Sequence, residues 1–123
     1  MPDNKKYSIS DLASEFSITA RTIRHYEELG LLSPDRKGTV RIFNSSDHVR
    51  LGLILRGKRI GFSLKEISEI ITMYDQPEGE KQQTSFLLEK VEERRHKLVN
   101  QIHDINNMLS ELDDIETKLK NNH

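Results

Sequence analysis

Thr19-Ala20-Arg21-Thr22-Ile23-Arg24-His25-Tyr26-Glu27-Glu28-Leu29-Gly30-Leu31-Leu32 is the stretch on which the rest of the chain depends. Thr19 is a good N-cap, the next ten residues hold no Gly or Pro, and Gly30 stands where a helix needs a left-handed stop. Ile23, Tyr26 and Leu29 recur at helical spacing and are expected to pack inward, which leaves Arg21, Thr22, Arg24, His25 and Glu28 on the rest of the cylinder. A short exposed helix with two arginines, a hydroxyl and an imidazole suits the major groove of DNA, where such groups reach base edges and phosphates. A solvated amphipathic helix has the same composition, so the neighbouring segments must decide.

Upstream, Ser8 followed three residues later by Asp11 is an approximate capping box, and Ile9, Leu12, Ala13 and Phe16 mark an apolar helical stripe. With Ser17 and Ile18 as a tight connection, two short helices joined by about three residues have the dimensions of a helix-turn-helix. Downstream, Pro34-Asp35 and Lys37-Gly38 are turn signals, and Val40-Arg41-Ile42-Phe43 is strand-forming, so a small hairpin or wing is predicted. Its cations Arg36, Lys37 and Arg41 are candidates for the phosphate backbone. Asn44-Ser45-Ser46-Asp47 caps a third helix running through Val49, Leu53, Leu55 and Ile60. It ends in a basic turn, Arg56-Gly57-Lys58-Arg59-Ile60-Gly61-Phe62-Ser63, with glycine at the expected stop, and Ser63 then starts a fourth helix with Leu64, Ile67, Ile70 and Ile71 facing the core. Lys58, Arg59 and Lys65 complete the set of candidate DNA contacts.

The charge distribution agrees. The 123 residues carry a formal net charge of -1, but residues 1–63 hold eleven Lys or Arg against seven Asp or Glu, and residues 64–123 hold eight against thirteen. The first half can approach a polyanion. With no cysteine there is no disulfide, thiolate metal site or Cys nucleophile. No apolar run approaches the ~20 residues needed to span a bilayer, and the N-terminus lacks a signal-peptide core, so a soluble cytoplasmic protein is expected.

The order helix, turn, arginine-bearing helix, wing, helix, basic turn, helix resembles the DNA-binding head of the MerR family of bacterial transcription regulators. The resemblance rests on Tyr7-Ser8-Ile9-Ser10-Asp11-Leu12-Ala13, on the Thr19 to Leu32 stretch, on Arg41-Ile42-Phe43, and on Ile60-Gly61-Phe62-Ser63-Leu64-Lys65-Glu66-Ile67. It implies that the helix from Thr19 is the recognition helix, with Arg21, Thr22 and Arg24 at groove-facing positions and Tyr26 and Arg41 at backbone-contacting ones. His25 stands where the family often has an aromatic, and Phe43 where it often has a tyrosine, which removes a hydroxyl. The segment from Leu55 to Leu64 is similar to the branch that regulates branched-chain amino-acid and acyl-CoA catabolism.

From Asp75 the composition turns polar, with Pro77 and Gly79 expected to end the fourth helix. Residues 85–119 contain no Gly or Pro and predict a helix about 50 Å long. Its heptad places Leu88, Arg95, Ile102, Leu109 and Glu116 at a and Val91, Leu98, Ile105, Leu112 and Leu119 at d. Eight of these ten positions are apolar, and so long a stripe needs a partner. Parallel pairing would set Arg95 against its own copy and Glu116 against its own copy. Antiparallel pairing with the dyad between His103 and Asp104 sets Ile102 on Ile105, Leu98 on Leu109 and Leu88 on Leu119, with Arg95 about one turn from the partner's Glu116. An antiparallel two-stranded coil is therefore predicted, and the resemblance implies the same.

The expected architecture is all-α with a small β wing: a winged helix-turn-helix head (1–74), a connector (75–84), an antiparallel coiled-coil dimerisation helix (85–119) and a short tail (120–123). Five scattered histidines give no helical metal pair, the acidic residues near Asp113 read as a solvated face, and neither a phosphate loop nor a nucleophile with its base is present. No enzymatic activity, cofactor or metal is expected. Metal-sensing members of the family are said to use cysteines just beyond the coil, which this chain lacks, and with four residues after Leu119 no separate effector domain is expected. A small-molecule effector, whose identity is open, would have to sit between head and coil near Met73, Tyr74, Phe86 and Leu87. The expected function is a homodimeric, sequence-specific DNA-binding regulator on an inverted repeat, each head reading one half-site. The resemblance adds a mechanism, in which an overlong promoter spacer is bent and untwisted so that RNA polymerase, an indirect partner, engages both promoter elements. The alternative is an interaction protein, a chaperone or enzyme modulator, using the same fold.

Overall fold

The computed structural model describes residues 5–75 and 79–122, with the side chains of Tyr74 and of residues 79–83 outside that description. The expected stop at Pro77 and the tail residue His123 therefore fall outside the described residues, as does the Tyr74 side chain of the expected effector position. The chain divides into two units, Met1–Gln83 and Thr84–His123.

In the first unit, α1 spans Ile9–Phe16 and α2 spans Ala20–Glu28. Ser8 and Asp11 form a reciprocal capping box, with Asp11 N donating to Ser8 Oγ at 3.0 Å and Ser8 N to Asp11 Oδ2 at 2.9 Å. The turn between the helices passes through Ser17 in the left-handed region, φ 56°. Thr19 Oγ1 then accepts from Thr22 N at 3.1 Å and starts α2. At the far end Gly30 takes φ 79°, so that its N–H reaches Glu27 O and the Leu31 N–H reaches back to Tyr26 O. That double closure requires a residue without a Cβ penalty. It also corrects the inward stripe: Ile23 and Tyr26 are buried, but Leu29 is 47% exposed, and Leu31 and Leu32, turned back by Gly30, take its place in the core.

Strands β1 (Asp35–Lys37) and β2 (Val40–Ile42) pair antiparallel around Gly38-Thr39, with Asp35 opposite Ile42, Arg36 opposite Arg41 and Lys37 opposite Val40. Phe43, predicted as part of the strand, instead forms an isolated antiparallel bridge with Tyr7, through N–H···O bonds of 2.8 and 2.9 Å. Its ring is fully buried. The base of the wing is thereby joined to the segment that precedes α1.

Helix α3 runs Ser45–Ile60 from an Asn44/Asp47 capping box. Its core face is Asp47, Leu51, Ile54 and Gly57, whereas Val49 and Ile60 of the predicted stripe are exposed and Leu53 and Leu55 are half-buried. The helix is apolar on several sides, and what selects the inner one is the close approach of α4 (Leu64–Tyr74). A Cβ on Gly57 would lie 2.9 Å from Ile67 Cγ1. Gly57 is thus a packing position inside the helix rather than part of a turn, and Gly61, at φ 94°, is the stop. The basic turn around Lys58 is the last turn of α3, where cations complement the carbonyl end of the helix. Ser63 and Glu66 cap α4, whose Ile67, Ile70 and Ile71 are buried.

Two polar ties hold this layer. Buried Asp47 accepts from the backbone of Ser33 (3.3 Å) and Asn44 (3.1 Å), and Arg50 beside it donates to Asp75 at the end of α4 (2.5 Å). His48 pairs with Glu15 and stacks on Tyr7, ring centroids 4.8 Å apart, linking α3 to α1.

Helix α5 spans Gly79–Asn121, 43 residues or about 65 Å. It begins six residues before the predicted start because Glu80 to Thr84 contain no breaker and several good helix formers. Among the described residues no helix is long and apolar enough to cross a membrane.

Candidate nucleic-acid interface

The buried side of α2 fixes what its other side presents. With Ile23 fully enclosed and Tyr26 nearly so, Arg21, Arg24, His25 and Glu28 are exposed and Thr22 is half-buried. The Thr22 hydroxyl is tied into the N-cap, 2.9 Å from Thr19 Oγ1, so its methyl is the freer group. Burial pushes the Tyr26 phenol above its ordinary pKa. Its ring lies 6.1 Å from that of His25.

The wing is tied to this helix by a residue to which sequence reasoning assigned no role. Glu27 Oε1 accepts from Arg36 Nη2 at 2.7 Å, and Glu27 Oε2 accepts from Arg41 Nε at 2.5 Å. One carboxylate thus holds both strands of the wing against α2. Burial of that carboxylate acts to raise its pKa, but the hydrogen bonds from Arg41 and Arg36, with their charges, outweigh it and hold the group below the usual glutamate value. A usable signal was present: Glu27 and Glu28 sit in the last turn of α2, where the helix dipole disfavours anions, so a nearby cation would be stabilising, and Glu27, the half-buried one of the two, is the one that has it. Lys37 differs from its neighbours. It is exposed at the hairpin tip with no ion pair among the described residues.

The remaining candidates, Lys58 and Arg59 at the end of α3 and Lys65 in the first turn of α4, are exposed. Among the described residues no hydrogen bond or ion pair joins them to α2 or the wing. The structure therefore unites Arg36, Arg41 and α2 through Glu27, and leaves the α3–α4 cations as a separate group. No cluster of three or more His, Asp or Glu placed to hold a metal occurs among the described residues.

On α5 all ten heptad seam positions are exposed, Leu88 at 64% and Ile102 at 59% among them. Arg95 pairs with Glu92 at 3.5 Å and Glu116 with Lys120 at 3.0 Å. Such exposed i,i+3 and i,i+4 pairs are weak and leave both side chains available to a partner.

Residues 7–74 match the family described as MerR HTH family regulatory protein, and residues 49–115 match that described as MerR, DNA binding. The chain is 32% identical over 111 residues to the mercuric resistance operon regulatory protein of Bacillus cereus, covering 87% of this chain and 83% of that protein. A crystal structure of a MerR-family transcriptional regulator from Bacillus cereus superposes with a TM-score of 0.71 at 29% identity, over 94% of this chain and 84% of that one. That of HiNmlR, a MerR-family regulator lacking the sensor domain and bound to promoter DNA, gives 0.60 at 25% identity, over 86% and 80%. Several other curated relatives are matched over only about half of their length. These matches do not bear on the branch resembled by the segment from Leu55 to Leu64.

Proposed function

The chain belongs to the MerR family of helix-turn-helix regulatory proteins, and from that premise we propose that it acts in the bacterial cytoplasm as a homodimeric, sequence-specific DNA-binding transcription regulator. One observation carries the reading: Arg21, Arg24 and His25 stand exposed on a helix whose opposite side is locked in the core and to which a two-stranded wing is tethered. In the major groove Arg21, Thr22, Arg24 and His25 reach base edges, while Tyr26, Lys37, Lys58, Arg59 and Lys65 meet phosphates that fix the register. The relative's name concerns mercuric resistance. This chain has no cysteine, so no thiolate metal site is proposed for it.

Residues 85–119 supply the dimer. An antiparallel coil with its dyad between His103 and Asp104 covers Leu88, Val91, Leu98, Ile102, Ile105, Leu109, Leu112 and Leu119, and brings Arg95 near the partner's Glu116. Two-fold symmetry then requires an inverted repeat with half-sites a whole number of helical turns apart. Bending and untwisting the spacer between them costs on the order of 1–6 kcal/mol, supplied by the phosphate contacts of both heads, and realigns the promoter elements for RNA polymerase.

The test is a salt-dependent titration against the chain's own upstream promoter region and a scrambled duplex of equal length. Promoter preference of ~10³ or more is expected, and equal, weak, steeply salt-dependent binding to both would sink the reading. Orientation is tested by cross-linking, clean here because the chain has no cysteine. Leu98→Cys with Leu109→Cys is expected to form interchain disulfides on oxidation and Leu98→Cys alone is not. Disulfide formation by Leu98→Cys alone, which sets that position against its own copy, means a parallel coil.

A further inference from the structure

The exposed side of α2 carries Arg21, Arg24, His25 and Glu28, and of these side-chain types only the imidazole ordinarily changes charge near neutral pH. A neutral imidazole offers one N–H donor and one acceptor, whereas an imidazolium offers two donors and a positive charge. Which form is favoured depends on the acceptors the ring meets. Among the described residues no hydrogen bond or ion pair reaches His25, and its ring neighbour Tyr26 is tilted by 42° at 6.1 Å. The carboxylates of the surrounding elements are engaged elsewhere: Glu27 accepts from Arg36 and Arg41 of the wing, and on α1 Asp11 accepts from Ser8 N and Glu15 pairs with His48. Asp35 and Lys37 of the wing are exposed and of opposite charge. Glu28, one turn beyond His25, is exposed and not bonded to it, and the charges of Arg21 and Arg24 oppose a further cation beside them. The carbonyl end of α2 favours a cation at His25, but equally with and without DNA.

A polyanion reverses that balance. Against phosphate oxygens, or against guanine O6 and N7, the ring faces acceptors on a surface of high negative charge density, where both donors of the imidazolium find partners. The other described histidines are placed differently. His48 already sits beside Glu15 and is stacked on Tyr7, and His96 and His103 lie on α5. We propose that DNA binding by this chain is coupled to proton uptake at His25, which makes each head a pH-dependent reader that holds its half-site more tightly in mild acid. The inference rests on the DNA-binding reading above, and it concerns a position where the resembled family often has an aromatic that does not titrate in that range.

The experiment measures proton uptake by calorimetry in buffers of different ionisation enthalpy, on the promoter and scrambled duplexes, for the wild type and His25→Phe between about pH 6 and pH 8. For a contact that raises the imidazole pKa by about one unit, uptake peaks near neutrality at about half a proton per head. Promoter affinity then rises on the order of fivefold per head from about pH 8 to pH 6, ~25-fold for a two-headed protein. His25→Phe, which keeps a ring and removes the charge, is expected to lose both the uptake and this dependence. Uptake with both duplexes places a phosphate oxygen at the ring, and uptake with the promoter alone places a guanine edge there. Wild-type binding without uptake overturns the proposal. So does uptake that persists in His25→Phe, and so does an affinity lowered by one factor at every pH with its pH dependence intact, the mark of a merely structural residue. Should His25→Phe fail to fold, the His25 ring resonance of the wild type decides: its titration midpoint is expected to rise by about one unit on adding promoter DNA, and an unchanged midpoint overturns the proposal. Absence of promoter preference at every pH overturns the DNA reading and this inference together, whereas preference without proton uptake overturns the inference alone.

Discussion

The head and the long helix treat their apolar residues in opposite ways. In the head Leu12, Ile23, Phe43, Leu51 and Ile54 are wholly enclosed by their own chain, while on α5 Ile102, Leu109, Leu112 and Leu119 are each more than half exposed. The first pattern describes a unit with its own core and the second a surface awaiting another. On the function proposed above, the difference separates what the chain would accomplish alone, the reading of a half-site, from what would need a second copy, the spacing of two heads.

The strongest way to break this contrast is Ile102→Asp. Each dimer loses two isoleucines, worth about 1.5–3 kcal/mol apiece when buried, and gains two carboxylates in an apolar seam. Sedimentation should show monomer and α5 should lose helicity, while the head keeps its melting transition; a dimer that survives would remove the seam from the interface. Ile23→Ala should do the converse. It is expected to cost the head about 2–5 kcal/mol in thermal unfolding with no change in dimer dissociation. Thr19→Ala, which removes the oxygen that caps Thr22 N, is expected to cost about 1 kcal/mol and to act on the head alone.

The smallest effect is that of pH on the wing. Because the Glu27 pKa is depressed in the folded protein, its contribution is fully present above the unfolded glutamate pKa of about 4.3 and is lost as pH falls through the lower folded value. Amide exchange in residues 35–42 should therefore be insensitive to pairing changes from neutrality down to about pH 5, once corrected for intrinsic rates, and should accelerate only in acid below the ordinary glutamate range. Loosening between pH 7 and 5 would assign the wing's order to another group.

Features set within four residues were legible in the chain. Ser8 with Asp11, Thr19 with Thr22, Asn44 with Asp47 and Ser63 with Glu66 are each a side chain and a backbone group three positions apart, and Gly30 and Gly38 announce the turns that contain them. What escaped was set by distant partners. Leu29 has the right spacing to face inward, but Gly30 turns Leu31 and Leu32 into that space first. The inner face of α3 is chosen by Ile67 ten residues beyond Gly57, which no period within α3 reveals. At the interface, the exposed cations of α2 were read directly from residue type. That Arg36 and Arg41 are already engaged was not, because their acceptor lies nine and fourteen positions away on another element.

The bridge between Tyr7 and Phe43 bears on the order in which the head assembles. It joins positions thirty-six residues apart, and the loop it closes contains α1, α2 and both strands of the wing. Closing so long a loop from a disordered chain is entropically costly, whereas prior packing of α1 on α2 shortens the effective loop to little more than the wing. The helix pair is therefore expected to form first and the bridge to lock afterwards. The same pairing shields one backbone edge at the base of a two-stranded ribbon that would otherwise lie open to another chain.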